Sequence, residues 1–231
     1  MCSSDLMSII KPLGASPLTF FHDLIAGTMY EYYDVADRTV IADVPVDLRE
    51  KLNSRAQSNF TANISLPIER ELMALSDAER YRILRERLKK SISIENIAFK
   101  LKDAEALVAM LDALPLKDEN ILKQMGDPGQ SAPEATRSYL LTNIGLMRLP
   151  DSMAKYVTGF DIYGTNLEAT PVFILLTYQN KGMLIVGQNY EETGLVEAVY
   201  KKLLTMDIDA ELRDDGRVRM DDAAVRGFEV L

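Results

Sequence analysis

Apolar residues recur at three- and four-residue steps after Ser16, and this spacing predicts an amphipathic helix. The stripe contains Leu18, Phe21, Ile25, Met29 and Tyr32. Ser16 is a favourable N-cap, and Pro17 suits the first helical position because its missing N–H has no helical partner to lose. The pattern predicts a helix over residues 16–33, preceded by a shorter helix over residues 6–13.

Runs of β-branched and apolar residues, bounded by turn residues, predict strands along much of the chain. These runs are residues 39–46, 60–68, 138–147, 156–163, 172–178, 183–188 and 208–212. The fifth and sixth runs are joined through residues 179–182, a hairpin signal that ends on a glycine.

Two further helices carry clear signals of their own. Ser76 and Glu79 form a capping box, and the basic helix that follows to residue 91 is interpreted as a solvated face. The pattern over residues 94–114 predicts another helix, in one piece or two, and that over residues 126–133 predicts an exposed loop. Residues 191–206 predict an amphipathic helix whose inward positions are Leu195, Val199, Leu203 and, less clearly, Val196. The pattern over the second half is typical of an α/β protein.

Composition narrows the functional classes. The chain has 231 residues, of which 47% are hydrophobic, and a net charge of −9. This acidic balance disfavours binding to nucleic acid or to an anionic membrane surface, which needs a basic face. No apolar run is long enough to span a bilayer and no secretory signal is recognised, so we expect a cytoplasmic protein. One cysteine and one histidine are too few for a zinc site.

Several short motifs occur in a characteristic order. The segment V-P-V-D-L-R ends at Arg49 and is followed by Asn59-Phe60, then by Asn143-Ile144-Gly145 with Leu149-Pro150, and finally by the strand pair after Thr170-Pro171. In this order and spacing they resemble the second half of the chloramphenicol-acetyltransferase-like superfamily. That superfamily includes peptide-synthetase condensation domains and alcohol O-acetyltransferases. The resemblance covers residues 6–212.

The resemblance implies a fold and three site residues. The expected fold class is α/β (α+β): a mixed β-sheet flanked by helices, forming the C-terminal lobe of the CoA-dependent acyltransferase fold. Arg49 is expected to form a structural ion pair with the aspartate of an H-H-x-x-x-D-G motif in the other lobe. Asn59 begins the strand expected to line a substrate tunnel, and Asn143 belongs to the N-x-G stretch of the family.

The catalytic motif of the family is missing from this chain. H-H-x-x-x-D-G does not occur, and His22, the single histidine, lacks both the preceding histidine and the following aspartate. His22 lies within the predicted helix over residues 16–33, so we interpret it as a histidine on a helix face rather than a base. An enzyme that uses His22 is a third, minor hypothesis. We therefore predict no catalytic residue and no metal ligand in this chain.

The resemblance implies part of an acyltransferase that moves an acyl group from a thioester to a hydroxyl or amine and is inactive alone. The co-substrate would be acyl-CoA or an acyl-carrier thioester, with no covalently bound cofactor. The partner would be the N-terminal lobe of the same protein or a separate chain. The alternative is a non-catalytic single-lobe binding or scaffold protein that oligomerises.

The two ends of the chain lie outside the predicted lobe. Residues 1–6 resemble a translated sequencing-adapter scar and are interpreted either as a non-native leader or as the frayed start of the first helix. Residues 7–212 form the predicted lobe, and residues 213–231 form a charged tail.

Overall fold

The computed structural model describes residues 1–34, 38–57, 60–99, 101–102, 109, 137–160, 162, 164, 170–188 and 190–213. Helices within these ranges are α1 (Ser3–Ile10), α2 (Pro17–Tyr32), α3 (Asp77–Ser91), α4 (Asp151–Ala154) and α5 (Gly194–Thr205), with a 3-10 helix over Arg70–Ala74. Residues 94–99 are also helical. None of the helices in the described ranges combines the length and apolar character that crossing a bilayer requires.

A mixed sheet organises these helices. Its strands are β1 (Val40–Asp47), β2 (Thr61–Ile68), β3 (Tyr139–Leu146), β4 (Val172–Tyr178) and β5 (Lys181–Gly187), in the order β2-β1-β3-β4-β5. The β1–β2 and β4–β5 pairs are antiparallel, whereas β1–β3 and β3–β4 are parallel. The predicted α+β class, with a mixed sheet flanked by helices, is confirmed.

The main core lies between one face of this sheet and the helices. Alternate strand residues such as Ala42, Ile64, Leu141 and Phe173 point into it, as the two-residue period of a strand requires, and each is fully buried. Helix α2 packs on β1, β3 and α5, while α3 packs on β2. The start of α2 is fixed by Ser16, whose hydroxyl accepts a hydrogen bond from the backbone N–H of Thr19 at 3.2 Å.

The opposite face of β1 and β2 is more polar, and we call it the open face. Thr61, Asn63 and Ser65 of β2 are exposed there, beside Asp43 of β1. Alternation places these residues on the side of the sheet away from the helices, since their strand neighbours are in the core.

The hairpin between β4 and β5 differs in detail from its prediction. Its two-residue turn is Gln179–Asn180, with φ of 46° and 63°, and Gly182 lies inside β5 rather than in the turn. Two consecutive positive φ values are characteristic of the tight turn that matches the twist of a hairpin.

Two predicted strands are wrong. Residues 156–160 and 162 are not in a strand, because a short helix, α4, precedes them and Val157 accepts a hydrogen bond from the Tyr178 hydroxyl at 3.0 Å instead of joining a ladder. Residues 208–212 also form no strand: Ile208 is buried in the core after α5, without pairing to a neighbour. The predicted loop over 126–133 and the tail beyond residue 213 lie outside the described residues.

The basic helix is also less solvated than the sequence interpretation expected. The side chain of Arg80 is only 12% exposed, and its Nε lies 2.6 Å from Oδ1 of Asp23, itself 8% exposed. Arg82, on the other side of α3, is 57% exposed as expected for a solvated face.

Candidate functional site

Strands β1 and β3 pair with each other over only a short part of their length, so their carboxyl ends do not form a continuous ladder. Every residue of β1 pairs with β2, but its pairing with β3 is limited to Ala42 with Tyr139 and Asp43 with Leu140. We call the region between residues 44–47 and residues 141–146 the β1–β3 opening. It lies at the carboxyl ends of parallel strands, where open α/β sheets characteristically bind ligands.

Arg49 follows β1 at this opening and is held in place by its own chain. Its Nε donates to the carbonyl of Ala56 at 2.8 Å, and its Nη1 lies 2.9 Å from Oδ1 of Asp47. The backbone N–H of Arg49 donates to the same Asp47 oxygen at 3.0 Å. These bonds, the backbone one first, lower the pKa of Asp47. The guanidinium is therefore orientated at the rim while its side chain stays 34% exposed.

Asn143 lies on the other side of the opening, at an irregularity in β3. Its Oδ1 accepts a hydrogen bond from the backbone N–H of Gly145 at 3.0 Å, and the register of β3 on β4 shifts between these residues. Gly145 has φ of 81°, a conformation that side-chain-bearing residues rarely adopt. The Asn143-Ile144-Gly145 stretch thus has a local structural role. The Asn143 side chain stabilises a bulge whose backbone conformation at position 145 favours glycine.

The bulge leaves apolar side chains uncovered at the carboxyl end of β3. Ile144 is 43% exposed and Leu146 is 53% exposed. In the segment that follows, Met153 and Tyr156 are also exposed. Exposed large apolar side chains that follow one another in this way are typical of surfaces that bind another protein or a ligand.

An ion pair on the open face was not foreseen from the sequence. Oδ2 of Asp43 lies 3.1 Å from Nη1 of Arg137 and accepts from Nδ2 of Asn63 at 3.2 Å. Asp43 is only 8% exposed. The position of Asp43 between the apolar residues Ala42 and Val44 is a signal that could have indicated a buried acidic group, although nothing in the sequence identifies its partner.

His22 is part of the core, which agrees with its interpretation as a structural residue. It is 1% exposed, and its Nδ1 lies 2.5 Å from the hydroxyl of Tyr139. That hydroxyl also donates to the carbonyl of His22 at 3.1 Å. Burial lowers the pKa of His22 to about 3, and the charge of Arg87 acts in the same direction. An imidazole that stays neutral and enclosed joins α2 to β3 and has no access to a substrate.

A cavity of about 330 Å³ lies on the helical side of the molecule. Asp23 and Arg80 form part of its lining, and the pKa of Asp23 is raised by burial even though Arg80 opposes the shift. The rest of the lining comes from α2, the 3-10 helix and α5: Leu24, Gly27, Tyr30, Glu31, Arg70, Met73, Lys202 and Met206. This cavity is separate from the β1–β3 opening, because no strand contributes to its lining.

The three predicted site residues have different outcomes. Arg49 and Asn143 both lie at the carboxyl ends of the parallel strands β1 and β3, one on each side of the opening. Asn59 lies outside the described residues. The opening offers a guanidinium, a carboxylate and an amide, which can bind and orientate a polar group, but it contains no imidazole, because the single histidine is in the core.

No protein-family model matches this chain, and no curated protein matches it. Among solved structures, it is similar to the epimerization domain from the third module of tyrocidine synthetase B, with a TM-score of 0.51 and 13% identity over 86% of this chain and 43% of that one. It is also similar to polyketide synthase associated protein 5 from Mycobacterium tuberculosis, with a TM-score of 0.50 and 16% identity over 87% of this chain and 47% of that one.

These similarities concern the fold. The chain shares its mixed-sheet fold with these two structures, and it spans less than half the length of each of them. At such low identity the shared fold by itself assigns no activity.

Proposed function

We propose that this chain is one lobe of a thioester-dependent acyltransferase, and that its β1–β3 opening forms one wall of the reaction site. A second lobe, in the same protein or in a partner chain, supplies the H-H-x-x-x-D-G motif. The observation that carries this proposal is the position of Arg49 and Asn143 on either side of an opening at the carboxyl ends of β1 and β3.

The chemistry of acyl transfer explains why a second lobe is needed. A hydroxyl or amine that attacks a thioester carbonyl must lose its proton, and a histidine with a pKa near neutrality is the usual base for this step. His22 is the chain's single histidine, and its pKa of about 3 and its burial exclude it from this role. A histidine base would therefore come from another polypeptide segment.

Arg49 is suited to meet that segment. Its guanidinium is held at the rim by Ala56 and Asp47, and it remains partly exposed. A second carboxylate that approaches the planar guanidinium would form charge-assisted hydrogen bonds without a large loss of side-chain freedom, since the side chain is already fixed. In the proposed complex this carboxylate is the aspartate of the histidine motif, as the family resemblance implies.

The exposed apolar residues support a docking surface beside the opening. Ile144 and Leu146 flank the bulge at Gly145. Burying them against a second lobe would remove apolar area from water and so stabilise the complex. Acyl donor and acceptor would then meet between the two lobes, with acyl-CoA or an acyl-carrier thioester as donor.

The same apolar residues also support a second candidate function, a non-catalytic scaffold. In that case two copies of the chain would bury these residues against each other. The two proposals differ in what they require. The acyltransferase lobe needs a partner with the histidine motif, whereas the scaffold needs only a second copy of itself.

The test measures release of CoA thiol from acyl-CoA in the presence of alcohol or amine acceptors. The chain is assayed alone and together with the polypeptide that is encoded directly upstream of it in its source. We expect no release above background from the chain alone, and turnover once a segment containing H-H-x-x-x-D-G is added.

Two results would contradict the proposal. One is turnover by the chain alone that persists in the His22→Leu variant, because the chain would then hold a different base. The other is a stable dimer in size-exclusion chromatography, dissociated by Ile144→Glu, together with the lack of any upstream or co-purifying histidine motif. That combination would favour the scaffold.

A further inference from the structure

The first two residues of the chain lie against the outer edge of β5. Cys2 forms an antiparallel bridge with Lys181. The N–H of Gly182 donates to the carbonyl of Met1 at 2.8 Å, and the amino group of Met1 donates to the carbonyl of Gly182 at 3.3 Å. This reciprocal pair of bonds is the hydrogen-bonded pairing of an antiparallel ladder.

The side chain of Asn180 strengthens this attachment. Its Oδ1 accepts from the backbone N–H of Ser4 at 3.1 Å, and its Nδ2 donates to the hydroxyl of Ser4 at 3.2 Å. Helix α1 begins at Ser3, so the chain leaves the sheet directly after Cys2. The polypeptide therefore reaches α1 from the edge of β5 in a fixed direction and register.

Among the described residues, no strand pairs with the outer side of β5 beyond Gly182. Strand β5 is last in the sheet order and pairs with β4 on its inner side. Backbone groups alternate in direction along a strand, so Leu184 and Val186 point their N–H and C=O groups to the same outer side as Gly182. Met183 and Ile185 point theirs towards β4. An edge of this kind is a template for another strand.

We infer that this edge of β5 accepts, as a sixth antiparallel strand, an extended polypeptide segment that runs into Met1 from its N-terminal side. The register follows from Met1 opposite Gly182 and Cys2 opposite Lys181. The residue directly before Met1 faces Met183, the second before it faces Leu184, and the fourth faces Val186. The second and fourth residues make the hydrogen bonds.

The segment before Met1 is the expected sixth strand because it continues directly from residues that already pair with β5. Met1 and Cys2 already occupy the first positions of this ladder, and adding residues next to a formed pair closes no new loop, which keeps the entropic cost low. Leu184 and Val186 are half-buried against the core, so apolar residues at the second and fourth positions before Met1 would extend the core on the helical side.

This inference rests on the proposed function in the form that has the second lobe in the same protein, upstream of Met1, and it takes residues 1–6 as native. It adds where that segment enters the lobe. The segment would tie the second lobe to the β5 side of the sheet, at the opposite end of the strand order from β2.

Amide hydrogen exchange, followed by NMR, tests the inference on the full chain. A short extension of threonine and valine, which favour strands, is added before Met1. A matched variant carries proline at the second and fourth added positions, where it removes the donating N–H groups. A control carries the same two prolines at the first and third positions, where the N–H does not enter this ladder.

We expect the threonine–valine extension to slow exchange at Leu184 and Val186 by at least about tenfold, because these amides gain partners. Prolines at the second and fourth positions should abolish this slowing, whereas prolines at the first and third should retain most of it. Met183 and Ile185, which bond to β4, serve as internal references and should not change.

Three results would overturn the inference. Exchange at Leu184 and Val186 could remain fast with the extension, or slow equally with both proline patterns. Alternatively, the unextended chain could show protection of these amides that rises with concentration, which would assign the edge to a second copy. None of these measurements involves acyl transfer, so failure here leaves the thiol-release result standing, and failure there leaves the exchange result standing.

Discussion

Acid should destabilise this protein in part through one buried side chain, His22. Burial lowers its pKa to about 3 from an ordinary value of 6.5. Between these values the unfolded chain binds a proton that the folded chain does not. The contribution of a neutral, buried His22 is therefore fully present above pH 6.5 and is lost as the pH falls towards 3.

The size of the effect follows from linkage. In the middle of this window, stability falls by about 1.4 kcal/mol for each pH unit, since the proton uptake on unfolding approaches one. Integrated from about pH 7 to about pH 4.5, the loss from this one group is about 2.5 kcal/mol. That is a large share of the stability of a typical domain.

The informative variant is His22→Leu. The Tyr139 hydroxyl still donates to the backbone carbonyl of residue 22, at 3.1 Å in the parent, so the substitution does not leave that hydroxyl without an acceptor. Carboxylates titrate in the same experiment: the pKa of Asp47 is lowered, which adds to acid sensitivity, while that of Asp23 is raised, which opposes it. Both are present in parent and variant and cancel in the comparison.

Urea unfolding at a series of pH values measures the effect. The parent should lose about 2.5 kcal/mol more than His22→Leu between about pH 7 and about pH 4.5, with similar m-values. Parallel curves for parent and variant would refute the reasoning, because they would mean that His22 has the same pKa in the folded and unfolded chains.

Two further predictions use matched substitutions. Arg80→Ala should lower the free energy of unfolding by about 3–5 kcal/mol at neutral pH, because it leaves the buried carboxylate of Asp23 without its partner. Arg82→Ala, on the exposed side of the same helix, should lower it by less than about 1 kcal/mol. Equal losses of stability in thermal or urea unfolding would contradict the burial argument. Gly145→Ala should lower the free energy of unfolding by about 1 kcal/mol, because Gly145 has a φ of 81°. Gly159→Ala is the matched control and should lower it less, since an added Cβ would meet nothing within 4 Å at either position and the two sites differ in backbone conformation. Equal effects in the same assay would contradict a role for the backbone conformation of Gly145.

Elements with local signals were predictable from the sequence. Helix α2 follows from the Ser16 cap and the apolar stripe behind it, and its observed bounds, Pro17–Tyr32, lie within one residue of the prediction. The inward positions Leu195, Val199 and Leu203 of α5 are all buried, as the helical period requires, whereas Val196 is half-buried. These features depend on neighbours within a few residues, which the sequence displays directly.

The features that were missed depend on residues far apart in the chain. The pair of Asp43 and Arg137 is separated by 94 positions, and no sequence pattern links the two. Residues 208–212 show why an apolar run is an incomplete signal: the run predicted a strand, but Ile208 is buried after α5 and the segment pairs with no strand of the described residues. The short pairing between β1 and β3 likewise has no local signature.

The resemblance to the acetyltransferase superfamily implied a mixed sheet flanked by helices, which is confirmed, whereas the roles it implied for Arg49 and Asn143 stay predictions. The structure shows that both residues also have local contacts within this chain, which the resemblance did not imply. Asn143 caps the bulge at Gly145, and the carboxylate described beside Arg49 belongs to Asp47 of the same chain. The expected ion pair with a second lobe stays a prediction.

The most direct test of the central claim measures thiol release from acyl-CoA. The chain is combined with a lobe that carries H-H-x-x-x-D-G, and the Arg49→Gln variant is compared with the matched control Arg213→Gln. Arg213 is 77% exposed and pairs with Glu211, outside both strands of the opening. Arg49→Gln should lower turnover by at least about tenfold, the equivalent of losing one charge-assisted contact, while leaving the stability of the chain alone within about 1 kcal/mol. Arg213→Gln should change neither. Equal turnover in both variants would contradict the claim that the β1–β3 opening faces the catalytic lobe.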